Sequence, residues 1–119
     1  MVFLSRALGE NNDNTSAPGE YALTREERAL PAGLRERFAK VVAVLNVGYP
    51  VAMDWADLAG AIVCCGYGGM LGGQALLEVL SGAVAPSGKL PDTWAVRYEV
   101  PCQFHYRKAL PAPEAGLIP

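Results

Sequence analysis

The sequence predicts an α/β fold: a partial three-layer sandwich with a mostly parallel sheet of three to four strands and flanking helices. Three observations lead there. The run 41–47, VVAVLNV, is continuously apolar and rich in β-branched residues, which suits a strand buried on both faces. Two further short apolar runs, VFL at 2–4 and AIVCC at 61–65, have strand length. Segments with helical caps or spacing follow each run, so the order reads strand, helix, strand, helix, strand, helix.

Each element has its own warrant. A loop at 9–21, dense in Asn, Asp, Ser, Gly and Pro, follows the first strand. Thr24-Arg25-Glu26-Glu27 has the pattern of a capping box, so a helix is expected from Arg25 to about Ala39. Pro31 lies inside that helix and should kink or break it, because proline lacks an amide hydrogen and crowds the preceding turn. Gly48-Tyr49-Pro50 reads as a turn, and 51–53 as a second short strand. Asp54 is placed to cap a short helix ending at Leu58. Leu76, Leu77 and Leu80 form one stripe of a helix over 74–80, which Gly82 should end. Five of the nine prolines lie at or beyond Pro91. The domain is therefore expected to cover 1–94, with an extended Pro-rich tail over 95–119.

Composition excludes several functions. A length of 119 residues and a mass of 12.6 kDa allow one small domain. Ten Lys and Arg against 12 Asp and Glu give a net charge of −2, with no basic excess to hold a nucleic acid. A hydrophobic fraction of 51% with 18% charged residues excludes global disorder. No apolar run reaches the roughly 18–20 residues of a membrane span, and the opening MVFLSR lacks the features of a signal peptide. Three cysteines, two of them adjacent, do not form a disulfide framework. A reducing, cytoplasmic compartment is favoured.

The chemical motifs are few. Gly66–Gly73 holds five glycines between a strand and a helix. It lacks the third glycine of the dinucleotide fingerprint and the Gly-Lys-Ser/Thr of a P-loop, so a tight turn with close backbone packing is the better reading. Cys64 and Cys65 should point to opposite faces of a strand and be buried there, unable to share a metal. Cys102 and His105, the sole histidine, do not make a site. No metal or other cofactor is expected. Trp55 and Tyr67 could stack on a sugar, but core packing is the expected role of both. Glu10 and Asp13 follow the first strand, where ligands sit in open α/β sheets. Spacing alone leaves Glu10 as a solvated loop acid or a catalytic one.

A resemblance goes further. Ser5-Arg6-x-x-Gly9-Glu10-x-x-Asp13-Asn14 resembles a strand-loop of glycoside hydrolase family 3. Tyr21-x-Leu23, the run 41–48, and Pro50-Val51-x-Met53-x-Trp55 are similar to that family too. The most specific stretch is Gly68–Leu76, with Val79-Leu80-x-Gly82 and Pro86-Ser87-Gly88-Lys89-Leu90-Pro91-Asp92-Thr93 after it. The match runs from about Val2 to Trp94 and covers the later half of the family's C-terminal α/β sandwich domain.

The resemblance implies a β-glucosidase-like enzyme that removes sugars with retention of configuration, in which this domain works beside a barrel. It implies that Glu10 is the general acid/base, and that the nucleophilic Asp belongs to the barrel. Arg6 and Asp13 are the candidate substrate-binding residues beside it. Arg6 could also orient a carboxylate or cap the strand end, and Asp13 could shape the loop. Three positions depart from the family pattern: Leu8 stands for the usual Ser, Leu71 for Glu and Ala85 for Asn.

Retaining hydrolysis needs two carboxyl groups about 5–5.5 Å apart, and only one has a match here. The expectation is a fragment of a larger enzyme, inactive without its barrel and prone to self-association through exposed sheet edges. The implied partners are a β-linked glycoside or oligosaccharide and the missing barrel domain or subunit. A non-catalytic carbohydrate-binding or interaction remnant is the alternative.

Overall fold

The computed structural model describes residues 1–7 and 15–96. Three parallel strands form one sheet in the order β1-β2-β3. They are β1 (Val2–Ser5), β2 (Val42–Asn46) and β3 (Ala61–Cys64). Helix α1 (Arg25–Arg37) connects β1 to β2, a single 3-10 turn (Ala56–Leu58) precedes β3, and α2 (Gly72–Ser81) follows it. The expected α/β fold is therefore present, with three strands among the described residues.

The central strand explains the sheet. Ala43, Val44 and Leu45 are each buried almost completely, so both faces of β2 are withdrawn from water. Register places Val2 beside Ala43, and Leu4 beside Leu45. These residues share one face with Val41 and Val47 and pack against Leu23, Val51 and Trp55. Leu34 of α1 and Met53, Leu58 and Trp94 close that core from its margin. At roughly 25 cal/mol per Å² of apolar area removed from water, this layer is the main source of stability.

The opposite face is covered at Val44 and open at its margin. Phe3, Val44, Val63, Leu76, Val79 and Pro86 line a groove of about 640 Å³. Phe3 is 57% exposed, and no residue of α2 is buried. Leu77, Leu71 and Met70 also face solvent. The leucine stripe of α2 has formed at helical spacing, but this chain supplies little to cover it.

The caps follow the sequence closely. Thr24 accepts from the Glu27 amide at 3.2 Å, and Glu27 accepts from the Thr24 amide at 2.8 Å, completing the capping box. Gly82 ends α2 with φ +80°, a conformation that a side chain disfavours.

Several expectations need correction. Pro31 does not break α1, which runs unbroken to Arg37 with Phe38 as its C-cap. The proline ring is buried, and its packing offsets the missing amide bond. The run 51–53 is not a strand. Its backbone bonds go to loops instead, Ala52 N–H to the Tyr21 carbonyl and Met53 N–H to the Ala95 carbonyl. Asp54 does not cap the turn at 56–58; Trp55 holds that position, and the Asp54 carboxylate pairs with Arg28 at 2.9 Å. Helix α2 begins two residues earlier than expected, at Gly72. Cys64 is exposed and Cys65 half-buried, because β3 is an outer strand of the described sheet rather than an inner one. The tail expected over 95–119 lies almost wholly outside the described residues.

Candidate active-site loop

β1 delivers the chain to the loop that carries Glu10 and Asp13. Both residues lie outside the described residues, as do Cys102 and His105. The two stems of that loop are described, and Arg6 organises them. Its side chain is almost fully buried at the end of β1. Nη1 and Nη2 donate to the two oxygens of Glu27 at 2.5 and 2.7 Å. Nε donates to the Glu20 carbonyl at 3.0 Å, and Nη1 also donates to the Ser5 carbonyl at 3.0 Å. The planar guanidinium fork suits this set of acceptors, which a lysine could not reproduce.

The returning stem is tied to itself. The Glu20 carboxylate accepts from the Thr15 amide at 2.6 Å, and Tyr21 N–H donates to the Thr15 carbonyl at 3.3 Å. The hydrogen bond from the Thr15 amide holds the Glu20 carboxyl below its ordinary range. Both stems of the loop thus meet at Arg6 and Glu20.

Electrostatics reinforce this arrangement. Burial pushes the Glu27 carboxyl up, but hydrogen bonds from Arg6 and Thr24 and the charge of Arg6 outweigh it, leaving Glu27 below its ordinary value. Burial raises the Tyr49 phenol; the Arg6 charge pulls it down, while Tyr67, Glu20 and Glu27 push it up. Five groups therefore share one local field at the carboxyl ends of β1 and β2.

Tyr67 joins them from the glycine-rich turn. Its hydroxyl donates to the Arg6 carbonyl at 3.1 Å. Its ring lies on Gly48, where an added Cβ would sit 2.2 Å from a ring carbon. The ring remains 59% exposed, so the expected core role holds for Trp55, which is 1% exposed, and not for Tyr67. The turn itself is tight: a Cβ on Gly68 would stand 3.0 Å from the Gly72 Cα. The expected close packing is found at Gly68 alone of the five glycines; a Cβ on Gly66, Gly69, Gly72 or Gly73 would meet nothing within 4 Å.

Arg6 was expected at the site, and the structure gives it a partner within the chain. Sequence reasoning found Glu27 only as a cap and missed its pairing with Arg6. The i, i+3 spacing of a capping box is visible in sequence, whereas a contact 21 residues away is not. Among the described residues, no group of three or more His, Cys, Asp or Glu is placed to hold a metal ion. Among them, no helix is long and apolar enough to cross a membrane.

The chain has a match among known families. Residues 1–115 match the family described as the glycosyl hydrolase family 3 C-terminal domain. The chain belongs to this family.

Individual relatives agree. The family 3 chain is 39% identical over 112 residues to a beta-glucosidase of Ruminococcus albus, covering 90% of itself and 12% of that protein. It is 40% identical over 109 residues to beta-glucosidase BoGH3A of Bacteroides ovatus, covering 89% of itself and 14% of that protein. Among solved structures, beta-glucosidase 3B from Thermotoga neapolitana in complex with glycerol aligns with a TM-score of 0.77 and 34% identity. That alignment covers 81% of this chain and 14% of the other. The chain spans roughly an eighth of the length of these relatives.

Proposed function

We propose that this domain supplies the general acid/base of a retaining β-glycosidase, with Glu10 as that residue and the nucleophile contributed by a separate barrel domain. The observation that carries the reading is the Arg6–Glu27–Glu20 clamp at the base of the Glu10 loop, in a chain whose relatives are beta-glucosidases. A catalytic acid on a loop needs stems that do not drift, because misplacement by about 1 Å costs much of the rate.

In this reading Glu10 protonates the leaving glycosidic oxygen and then, as a carboxylate, takes a proton from the attacking water. The barrel's carboxylate attacks the anomeric carbon as that oxygen departs, and the activated water then displaces the carboxylate from the glycosyl-enzyme. Arg6 serves the substrate through the loop that it anchors. Asp13 lies three residues after Glu10 and serves as a substrate or loop-shaping hydrogen-bond acceptor. The substrate is a β-linked glycoside or oligosaccharide. The barrel domain or other missing part of the enzyme is the partner, and the open groove beside Phe3 and α2 offers it a surface.

Mixing the purified chain with a separately expressed barrel domain tests the assignment. Hydrolysis of an aryl β-glucoside should appear in the mixture, and Glu10→Gln should reduce it by about a hundredfold or more. Activity that survives Glu10→Gln would remove Glu10 from the role. A mixture that binds sugar without turnover would favour the non-catalytic reading.

A further inference from the structure

We infer that Tyr67 is the platform of a saccharide-binding subsite at the carboxyl ends of the strands, on which the apolar C–H face of a neutral sugar ring stacks. The class of ligand rests on the glycosidase reading above; the geometry rests on Tyr67, Gly48 and Arg6. The ring is 59% exposed, against 1% for Trp55, so it takes no part in the core. Exposure alone says little, since single apolar groups on a surface are ordinary. Tyr67 differs in being held.

Two contacts hold it. Its hydroxyl donates to the Arg6 carbonyl at 3.1 Å. Arg6 is itself fixed through Glu27 and through the Glu20 and Ser5 carbonyls. The second contact is Gly48. A Cβ built there would meet Cε2, Cζ and Cδ2 of the ring at 2.2, 2.6 and 2.9 Å, with the middle carbon of the three nearest. An edge-on approach would set the two outer carbons farther back, so Gly48 backs the ring on one face. The ring is pinned by its tip and by that face, and the other face meets water. A platform ordered before its ligand arrives avoids the entropy cost of ordering on binding.

The surroundings select the ligand. The Arg6 guanidinium is engaged by Glu27, so it is not available to draw an anion. Ser5 and Asn46, whose side chains meet only at 3.5 Å, line a groove together with Gly68, the residue after Tyr67. A hydroxyl and a primary amide at that distance keep donors and acceptors for the hydroxyls of a ligand. An aromatic face beside uncharged hydrogen-bonding groups fits a pyranose, which carries C–H bonds on its faces and hydroxyls on its rim. The carboxyl ends of parallel strands are also where open α/β sheets bind their ligands.

Titration of the full chain with methyl β-glucoside, followed by NMR, tests the subsite. At millimolar sugar the Tyr67 ring protons and the Gly48 amide should shift together. Tyr67→Ala should weaken binding by about tenfold or more, whereas Tyr67→Phe, which keeps the ring, should stay within about threefold of wild type. Gly48→Ala, which displaces the ring, should weaken binding as Tyr67→Ala does. Phe38→Ala removes a ring of similar exposure, 57%, at the end of α1 and should change nothing. The readout needs no turnover, so a failed acid/base assignment would leave the subsite standing. Sugar binding that is unchanged in Tyr67→Ala would overturn it. Tyr67 shifts that follow protein concentration instead of sugar would make the ring a protein contact and overturn it as well. Equal shifts with inorganic phosphate would mark an anion site, which also contradicts the proposal.

Discussion

Glu27 accepts from Arg6 with both carboxylate oxygens while one of them also accepts from the Thr24 amide. One side chain therefore starts helix α1 and anchors the end of strand β1. The ion pair is largely withdrawn from water on the Arg6 side, so breaking it leaves a buried guanidinium without its counter-charge. Glu27→Gln, which strands that guanidinium, should lower stability by about 2–4 kcal/mol in urea unfolding. A double-mutant cycle with Arg6→Ala should give a coupling above about 1 kcal/mol. Additive losses would mean that the two residues act separately.

The same pair sets an acid dependence. Folding holds the Glu27 carboxyl below its ordinary value of 4.5. A depressed carboxyl contributes stability that is complete above the unfolded value and lost as pH falls through the folded one. The urea midpoint should therefore decline below about pH 4.5, and the decline should be shallower in Glu27→Gln. Glu20, also lowered, contributes in the same direction. Equal slopes in wild type and variant would count against a Glu27-centred clamp.

The open face predicts association. Phe3, Met70, Leu71 and Leu77 are exposed on a chain whose other sheet face is a closed core. Exposed apolar area of this kind drives contact with other molecules. The chain alone should sediment above its monomer mass of 12.6 kDa at micromolar concentration, and Phe3→Lys should shift it toward monomer. Sedimentation of both as monomers would show that the face is tolerated uncovered.

The fold was legible where the signal is local. The apolar run at 41–47 gave the central strand, Thr24 and Glu27 gave the start of α1, and Gly82 gave the end of α2. Pro31 misled because its cost is local while the packing that offsets it is tertiary. The expected strand at 51–53 failed because its apolar residues are buried by loops, and burial alone does not specify a ladder. Cys64 and Cys65 were read as interior because an apolar strand looks the same at a sheet's centre and at its margin. The clamp and the Tyr67 contact were hidden for a different reason. Arg6 meets Glu27 across 21 residues and Tyr67 across 61, and neither separation leaves a periodic trace.

Chemical rescue of a Glu10→Ala variant tests the central claim most directly. The chain would be combined with the barrel domain and given an aryl β-glucoside with a strongly activated leaving group. Such a substrate needs no proton for departure, so the glycosyl-enzyme forms and then waits for a base to activate water. Azide needs no such base. If Glu10 is the acid/base, adding azide should restore turnover and release a β-glycosyl azide, because only the proton transfer is then missing. Turnover by the variant at the wild-type rate without azide, or a product of inverted configuration, would contradict the account.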